Sequence, residues 1–143
     1  MLKVGVLGAG HLGKIHLRLL NQSEKYELVG FYDAFEENAN KVAAEFGYKK
    51  FDSIAELIAA VDVVDIVTPT MQHFECAKQV IEAGKHIFIE KPISNTVAEA
   101  EEIIALAKKH NVKGQVGHVE RFNPAFTAVK DKINNPMFIE THR

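Results

Sequence analysis

Two hydrophobic periods take turns along this chain. Apolar runs of strand length, at residues 4–7, 26–32, 63–67, 86–89 and 112–117, are separated by longer stretches whose apolar residues recur every three or four positions. The first kind reads as buried strands and the second as amphipathic helices. Leu12, Ile15, Leu19 and Leu20 share helical spacing, as do Phe35, Ala39, Val42, Ala43 and Phe46, the latter with acids in the first turn and Gly47 as the stop. Ser53 to Glu56 forms a capping box ahead of Leu57, Ile58 and Val61, which predicts a short helix. Phe74, Ala77, Val80 and Ile81 mark a helix within 72–83, ended by Gly84. A second capping box, Thr96 to Glu99, opens a helix through His110 with Val97, Ala100, Ile103, Ile104 and Ala107 on its apolar face. Regular alternation of the two periods predicts an α/β fold with a doubly wound parallel sheet.

The last stretch breaks the pattern. Asn123 followed by Pro124 is a helix start, the amide capping and the proline at the first helical position, for a helix over 124–133. Residues 137–142 read as the opening of a strand with no partner left in the sequence. Residues 1–120 are therefore expected to form one domain, and 121–143 a connecting helix and the opening of a strand, where the chain stops in mid-architecture.

Composition narrows the partners. The chain has 143 residues, 47% hydrophobic and 25% charged, with a net charge of -2. That is enough for one well-packed soluble domain and gives no basic surface for nucleic acid. The single cysteine, Cys76, reads as a small buried residue; it excludes a disulfide framework and a cysteine metal cage. The seven histidines include no HExxH, so no metal site is expected, and the absence of GxSxG argues against a serine hydrolase. Neither a signal peptide nor a run of membrane-spanning length is present, so the expected location is the cytoplasm, with no membrane partner.

The candidate chemistry begins where the first strand runs into Gly8-Ala9-Gly10-His11-Leu12-Gly13. Placed between a strand and a helix, GxGxxG is a dinucleotide-binding fingerprint of Rossmann type. Gly8 allows the tight turn, Gly10 lets backbone approach a pyrophosphate, and Gly13 lets the helix pack close to the strand. The helix start offers unpaired N–H groups and a positive dipole end, to which His11 contributes through its backbone. At the end of the second strand, Asp33 is placed to accept bonds from the adenosine ribose hydroxyls; the alternative is a solvated turn residue. A carboxylate there repels a 2′-phosphate, and the residues that follow, Ala34-Phe35-Glu36-Glu37, supply no arginine. NAD is the expected cofactor, with NADP less favoured. His16 reads as an exposed helix position rather than a ligand.

Further motifs carry a family resemblance. The glycine loop, Thr68-Pro69-Thr70-Met71-Gln72-His73 after the run at 63–67, and Glu90-Lys91-Pro92 after the run at 86–89 together resemble the Gfo/Idh/MocA family of oxidoreductases. Residues 117–124, Gly-His-Val-Glu-Arg-Phe-Asn-Pro, with 138–143, are similar to a branch that includes nucleotide-sugar dehydrogenases. The resemblance implies hydride transfer between NAD and a secondary alcohol of a sugar or nucleotide-sugar substrate. It implies Lys91 as the catalytic residue, acting on the reacting hydroxyl, and a cis Lys91–Pro92 peptide. Thr68, Pro69, Thr70, His73, Glu90, Lys91 and Pro92 join the glycine loop and Asp33 around the cofactor. His73 either faces the nicotinamide end or is an ordinary first-turn residue, and Glu90 either contacts cofactor or simply pairs with Lys91. Arg121, Asn123 and Arg143 are candidates for a nucleotide-sugar phosphate or uridine, with a surface charge and a helix cap as the plainer readings of the first two.

In the family a second α/β domain supports substrate binding and oligomerisation and supplies a catalytic histidine and often an aspartate, so the resemblance implies that residues 121–143 are the connecting helix and first strand of such a substrate domain, otherwise missing here. A homo-oligomer is thus expected of the full-length protein, and this fragment is expected to bind cofactor without being catalytically complete. The alternative from another class is a noncatalytic NAD(H)-binding sensor or regulatory module.

Overall fold

The computed structural model describes residues 1–140. Five strands, β1 (Leu2–Leu7), β2 (Tyr26–Tyr32), β3 (Val63–Ile66), β4 (His86–Ile89) and β5 (Gly114–Val116), form one parallel sheet in the order β2-β1-β3-β4-β5. This is the Rossmann-like doubly wound fold that the alternating pattern predicts. Central strands of such a sheet are covered on both faces, which is why they read as unbroken apolar runs rather than as alternation. Val6, Leu7, Val64 and Ile66 are all fully buried.

Helices α1 (His11–Asn21) and α2 (Glu36–Phe46) build the core on one face, where Leu17, Ala39 and Val42 meet Val6 and Phe31. On the other face α3 (Ile54–Ala60), α4 (His73–Glu82) and α5 (Val97–Lys109) enclose a larger cluster that includes Leu57, Ala77, Val80, Ile81 and Ile103 with Leu7, Ile66 and Ile89. One capping box forms in full, Thr96 exchanging bonds with Glu99 in both directions, while at Ser53 only half of it forms, the hydroxyl accepting from the Glu56 N–H with no return bond from the Glu56 side chain. Gly47 closes α2 in the left-handed conformation (φ 72°) that its position requires.

Several predicted details change. The α1 stripe that meets the sheet is Gly13, Leu17 and Leu20, whereas Leu12 and Leu19 are exposed. Phe35 lies outside α2 as its N-cap, exposed. In α5 only Ile103, with Leu106 and Ala107, reaches the core, and Val97 and Ile104 face outward, because this helix packs chiefly along α4 and offers one narrow stripe. The last helix, α6, covers Pro124–Lys130 and stops short of Ile133. Residues 137–140 have irregular backbone where a strand was expected, and the rest of that expected strand lies outside the described residues.

The connections leave β1 toward β2 and β3 toward β4, so the chain diverges between two neighbouring strands. At such a switch point the loops part and leave a crevice at the carboxyl edge. The turns after β1 and β3 form its walls.

Candidate functional site

The crevice is built from glycine geometry. Gly8 leaves β1 at φ 94°, donates its N–H to the Tyr32 carbonyl at 2.9 Å, and passes so close to β3 that a Cβ there would lie 2.8 Å from the Val67 carbonyl oxygen. Gly13 sits directly over the loop: a Cβ on it would collide with the Gly8 carbonyl oxygen and lie 2.8 Å from the carbonyl carbon. Gly10 is different, because among the described residues nothing stands within 4 Å of where its Cβ would be. It is the N-cap of α1, where no side-chain cap forms, so the first N–H groups of the helix have no capping side chain. They open on a hollow of about 710 Å³ whose lining includes Gly8, Gly10, His11, Asp33, Thr68 and Pro69. An uncapped helix start beside empty space fits the pyrophosphate of a dinucleotide.

Asp33 is a partner of the loop as well as a wall. Its Oδ2 accepts from the Ala9 N–H at 2.7 Å and from Asn38 Nδ2 at 3.0 Å, and its Oδ1 accepts from the Phe35 N–H at 2.8 Å. An ionised carboxylate has about four acceptor positions. Three are occupied here, which leaves one on Oδ1 for a ribose hydroxyl. Ala9 itself is fully buried and serves through its backbone, donating to Asp33 and accepting from Asn38 Nδ2 at 3.1 Å. Asn38 was not picked out by sequence reasoning. Its only signal is an amide one helical turn into α2, just after the acid that ends β2.

Leu12 also borders the hollow, with Gln72, Glu75 and Gln79 from α4 and its approach. Cys76 lies there too, buried as expected; burial pushes its thiol up, with the Thr68 hydroxyl pulling it back. Thr70, His73, Glu90, Lys91 and Pro92 stand outside this lining. Thr70 begins a short 3₁₀ turn, Thr70–Gln72, that leads into α4.

The His73 ring does not face the hollow. It is buried, with Nδ1 2.8 Å from the Pro92 carbonyl oxygen and Nε2 2.9 Å from the Thr68 carbonyl oxygen. Both ring nitrogens face backbone carbonyls, and the residue lies between the turn after β3 and the turn after β4. Expected either at the nicotinamide end or as an ordinary first-turn residue, His73 is the first residue of α4, with its ring between the Thr68 and Pro92 carbonyls. The Lys91–Pro92 peptide is cis. Lys91 is exposed, and its backbone N–H donates to Glu90 Oε2 at 3.1 Å.

Glu90 turns inward, toward a cluster that sequence reasoning missed. His16 is mostly covered rather than exposed: Nδ1 lies 2.8 Å from Asp65 Oδ2 and Nε2 3.5 Å from Glu90 Oε1. Burial alone would lower the His16 pKa, but the hydrogen bond and charge of Asp65 and the charge of Glu90 together raise it. Burial pushes the Asp65 carboxyl up, and the bond and charge of His16 draw it back. The available signal was Asp65 itself, an acid inside the buried run Val63-Val64-Asp65-Ile66-Val67. A buried charge of that kind needs a partner. Arg121 and Asn123 lie away from the hollow, Asn123 capping α6 by accepting from the Ala125 N–H, and Arg143 lies outside the described residues.

Comparison with known proteins agrees with this fold. Residues 2–118 match the family model described as the oxidoreductase family with an NAD-binding Rossmann fold. The chain is 36% identical to UDP-N-acetylglucosamine 3-dehydrogenase of Acidithiobacillus ferrooxidans across 99% of its own length and 45% of the relative's. A solved structure of that enzyme superposes with a TM-score of 0.86, covering 92% of this chain and 43% of that one. Inositol 2-dehydrogenase of Rhizobium meliloti is 34% identical over 93% of this chain and 41% of its own. Scyllo-inositol dehydrogenase of Lactobacillus casei, solved with NAD(H) and scyllo-inositol bound, is 28% identical, with a TM-score of 0.83 and coverage of 92% and 40%. The chain thus spans less than half the length of these relatives. The chain belongs to the Gfo/Idh/MocA family of oxidoreductases, as an NAD-binding Rossmann domain of that family.

Proposed function

We propose that this chain is the cofactor-binding half of an NAD-dependent dehydrogenase that oxidises or reduces a secondary alcohol of a sugar or nucleotide sugar. The observation that carries the reading is the hollow at the switch point, where an uncapped helix start, Asp33 and Thr68-Pro69 face the same space. Similarity to dehydrogenases of UDP-N-acetylglucosamine and inositol supports the substrate class. The bound cofactor supplies hydride acceptance and donation. The protein holds its pyrophosphate on the Gly8–Gly13 backbone and its ribose on Asp33, and Lys91 handles the proton of the reacting hydroxyl. Residues 121–143 lead into a second domain, which supplies the remaining catalytic groups and the contacts of a cytoplasmic homo-oligomer. Turnover is therefore expected only when the chain continues through that domain, and alcohol-dependent NADH production by residues 1–143 alone overturns that part of the reading.

Cofactor choice rests on Asp33. Alanine at this position would strip partners from both the Ala9 and Phe35 N–H groups, whereas Asp33→Asn keeps one acceptor oxygen and loses only one of them, so it is the milder change. Titration calorimetry on residues 1–143 is expected to give tighter binding of NAD(H) than of NADP(H), a gap of tenfold or more, since one lost charge-assisted bond and like-charge repulsion each amount to about 1.5 kcal/mol or more. Asp33→Asn narrows the gap by weakening NAD(H) and relieving NADP(H). Tighter NADP(H) binding by the wild type defeats the assignment.

A further inference from the structure

Three elements that frame the site meet at His16. It projects from the second turn of α1, the helix whose start carries the glycine loop; Asp65 comes from β3, whose end leads to Thr68-Pro69; and Glu90 opens the Glu90-Lys91-Pro92 turn after β4. Phe88 flanks the ring, its centroid 6.1 Å away. Glu90 is nearly enclosed. Its Oε2 accepts the Lys91 N–H, and its Oε1 lies where Gly117 has no side chain: a Cβ on Gly117 would stand 2.6 Å from that oxygen. Among the described residues Asp65 Oδ1 is buried with no hydrogen-bond partner, so His16 is the side chain that answers this acid.

The geometry selects one protonation state. Ionised carboxylates only accept, and a neutral imidazole has one N–H to give. With a carboxylate oxygen opposite each ring nitrogen, only the imidazolium presents a donor to both. Tyr26 of β2, His86 of β4 and Lys113, which leads into β5, border a separate hollow together with His16 and Asp65. Asp65 and Glu90 are the charged groups that act on the ring.

We propose that His16 is a positioning residue whose imidazolium clamps Asp65 and Glu90 together, and through Glu90 fixes the backbone that presents Lys91. This rests on the reading of Lys91 as the group that meets substrate, although the clamp itself does not depend on it. A histidine whose folded-state value is raised stabilises the fold fully below its ordinary value of about 6.5, and that contribution is lost as pH rises through the raised value. The clamp is therefore closed in mild acid and opens on the alkaline side.

The test is a pH titration of isotopically labelled residues 1–143, followed by NMR at the His16 ring and at the Lys91 amide. In the wild type the His16 ring titrates above about 6.5, and the Lys91 amide moves with the same midpoint. Asp65→Asn lowers both midpoints together. His16→Gln removes the transition at Lys91, and Gly117→Ala, whose Cβ would stand 2.6 Å from Glu90 Oε1 and 3.2 Å from the Phe88 ring, uncouples Lys91 from the His16 titration. A Lys91 amide that stays still through the His16 transition in the wild type overturns the proposal without recourse to any variant, as does a Lys91 transition that survives in folded His16→Gln. Because no turnover is read, failure of the clamp is distinguishable from failure of the catalytic reading, which loss of activity in Lys91 variants decides.

Discussion

Gly13→Ala is expected to lower the melting temperature by about 6–12 °C, the effect of roughly 3 kcal/mol in a domain of this size. The new methyl group would meet the Gly8 carbonyl, a backbone group that Gly8 cannot withdraw. Gly8 is held on one side by its bond to Tyr32 and on the other by the approach of Val67, so α1 must lift away from β1 to make room. Lifting α1 also pulls Leu17 from its fully buried place against Val6 and Phe31. Gly10→Ala is the matched control, since its methyl group would enter open space at a backbone φ of -67° that alanine adopts freely. Its melting temperature should stay within about 2 °C of the wild type, because exchanging glycine for alanine at an N-cap costs a fraction of 1 kcal/mol. The same methyl group stands over the uncapped helix start, and NAD(H) affinity should fall at least tenfold, about 1.4 kcal/mol. Scanning calorimetry and titration calorimetry read the two effects separately. Equal loss of stability in both variants, or wild-type NAD affinity in Gly10→Ala, would refute the division of labour between these glycines.

That division is legible in the sequence, because each glycine answers a local demand: a turn, a close approach, a helix packed on a strand. The strands are legible for a related reason. In a parallel sheet covered on both sides the central strands must be apolar at nearly every position, and Val4 to Leu7 and Val63 to Val67 announce themselves. Helix starts written as capping boxes at Ser53 and Thr96 are equally local and equally readable. Which residue of a helix faces the core is harder, because α1 and α5 carry more apolar positions than they bury, and only the sheet decides between Leu17 and Leu19.

The polar interior is the least legible part. His73 binds the Thr68 and Pro92 carbonyls, and His16 meets an acid 49 residues away, so neither pairing leaves a local trace around the histidine. In both cases the ring joins turns or elements that are distant in sequence and adjacent only across the sheet. The trace that does exist is on the other side of the bond. Asp65 sits inside an otherwise apolar run, and an acid buried in a strand demands a counter-charge somewhere in the fold. Asn38 follows the same rule on a smaller scale, since it satisfies the Ala9 carbonyl and Asp33 together.

In a longer chain that carries the proposed second domain, Lys91→Met is expected to lower kcat by about 10²–10⁴, the usual contribution of a positioned proton-transfer group. Methionine keeps the length and apolar stem of lysine while removing the ammonium group. The NAD(H) dissociation constant should change less than twofold, because Lys91 stands outside the lining of the hollow that holds the glycine loop and Asp33. The turn is fixed on both sides of Lys91: Glu90 accepts its N–H, and His73 engages the carbonyl of Pro92. A side chain presented from so constrained a turn can be placed within the short reach that proton transfer requires, about 2.6–3.2 Å between heavy atoms. Lys91→Arg should not restore turnover, since a guanidinium keeps the charge but holds its proton too firmly to exchange it. Full rescue by arginine would show that charge alone is needed. A rise in the substrate KM with kcat unchanged would make Lys91 a binding residue, and undiminished kcat and KM in Lys91→Met would remove it from the reaction.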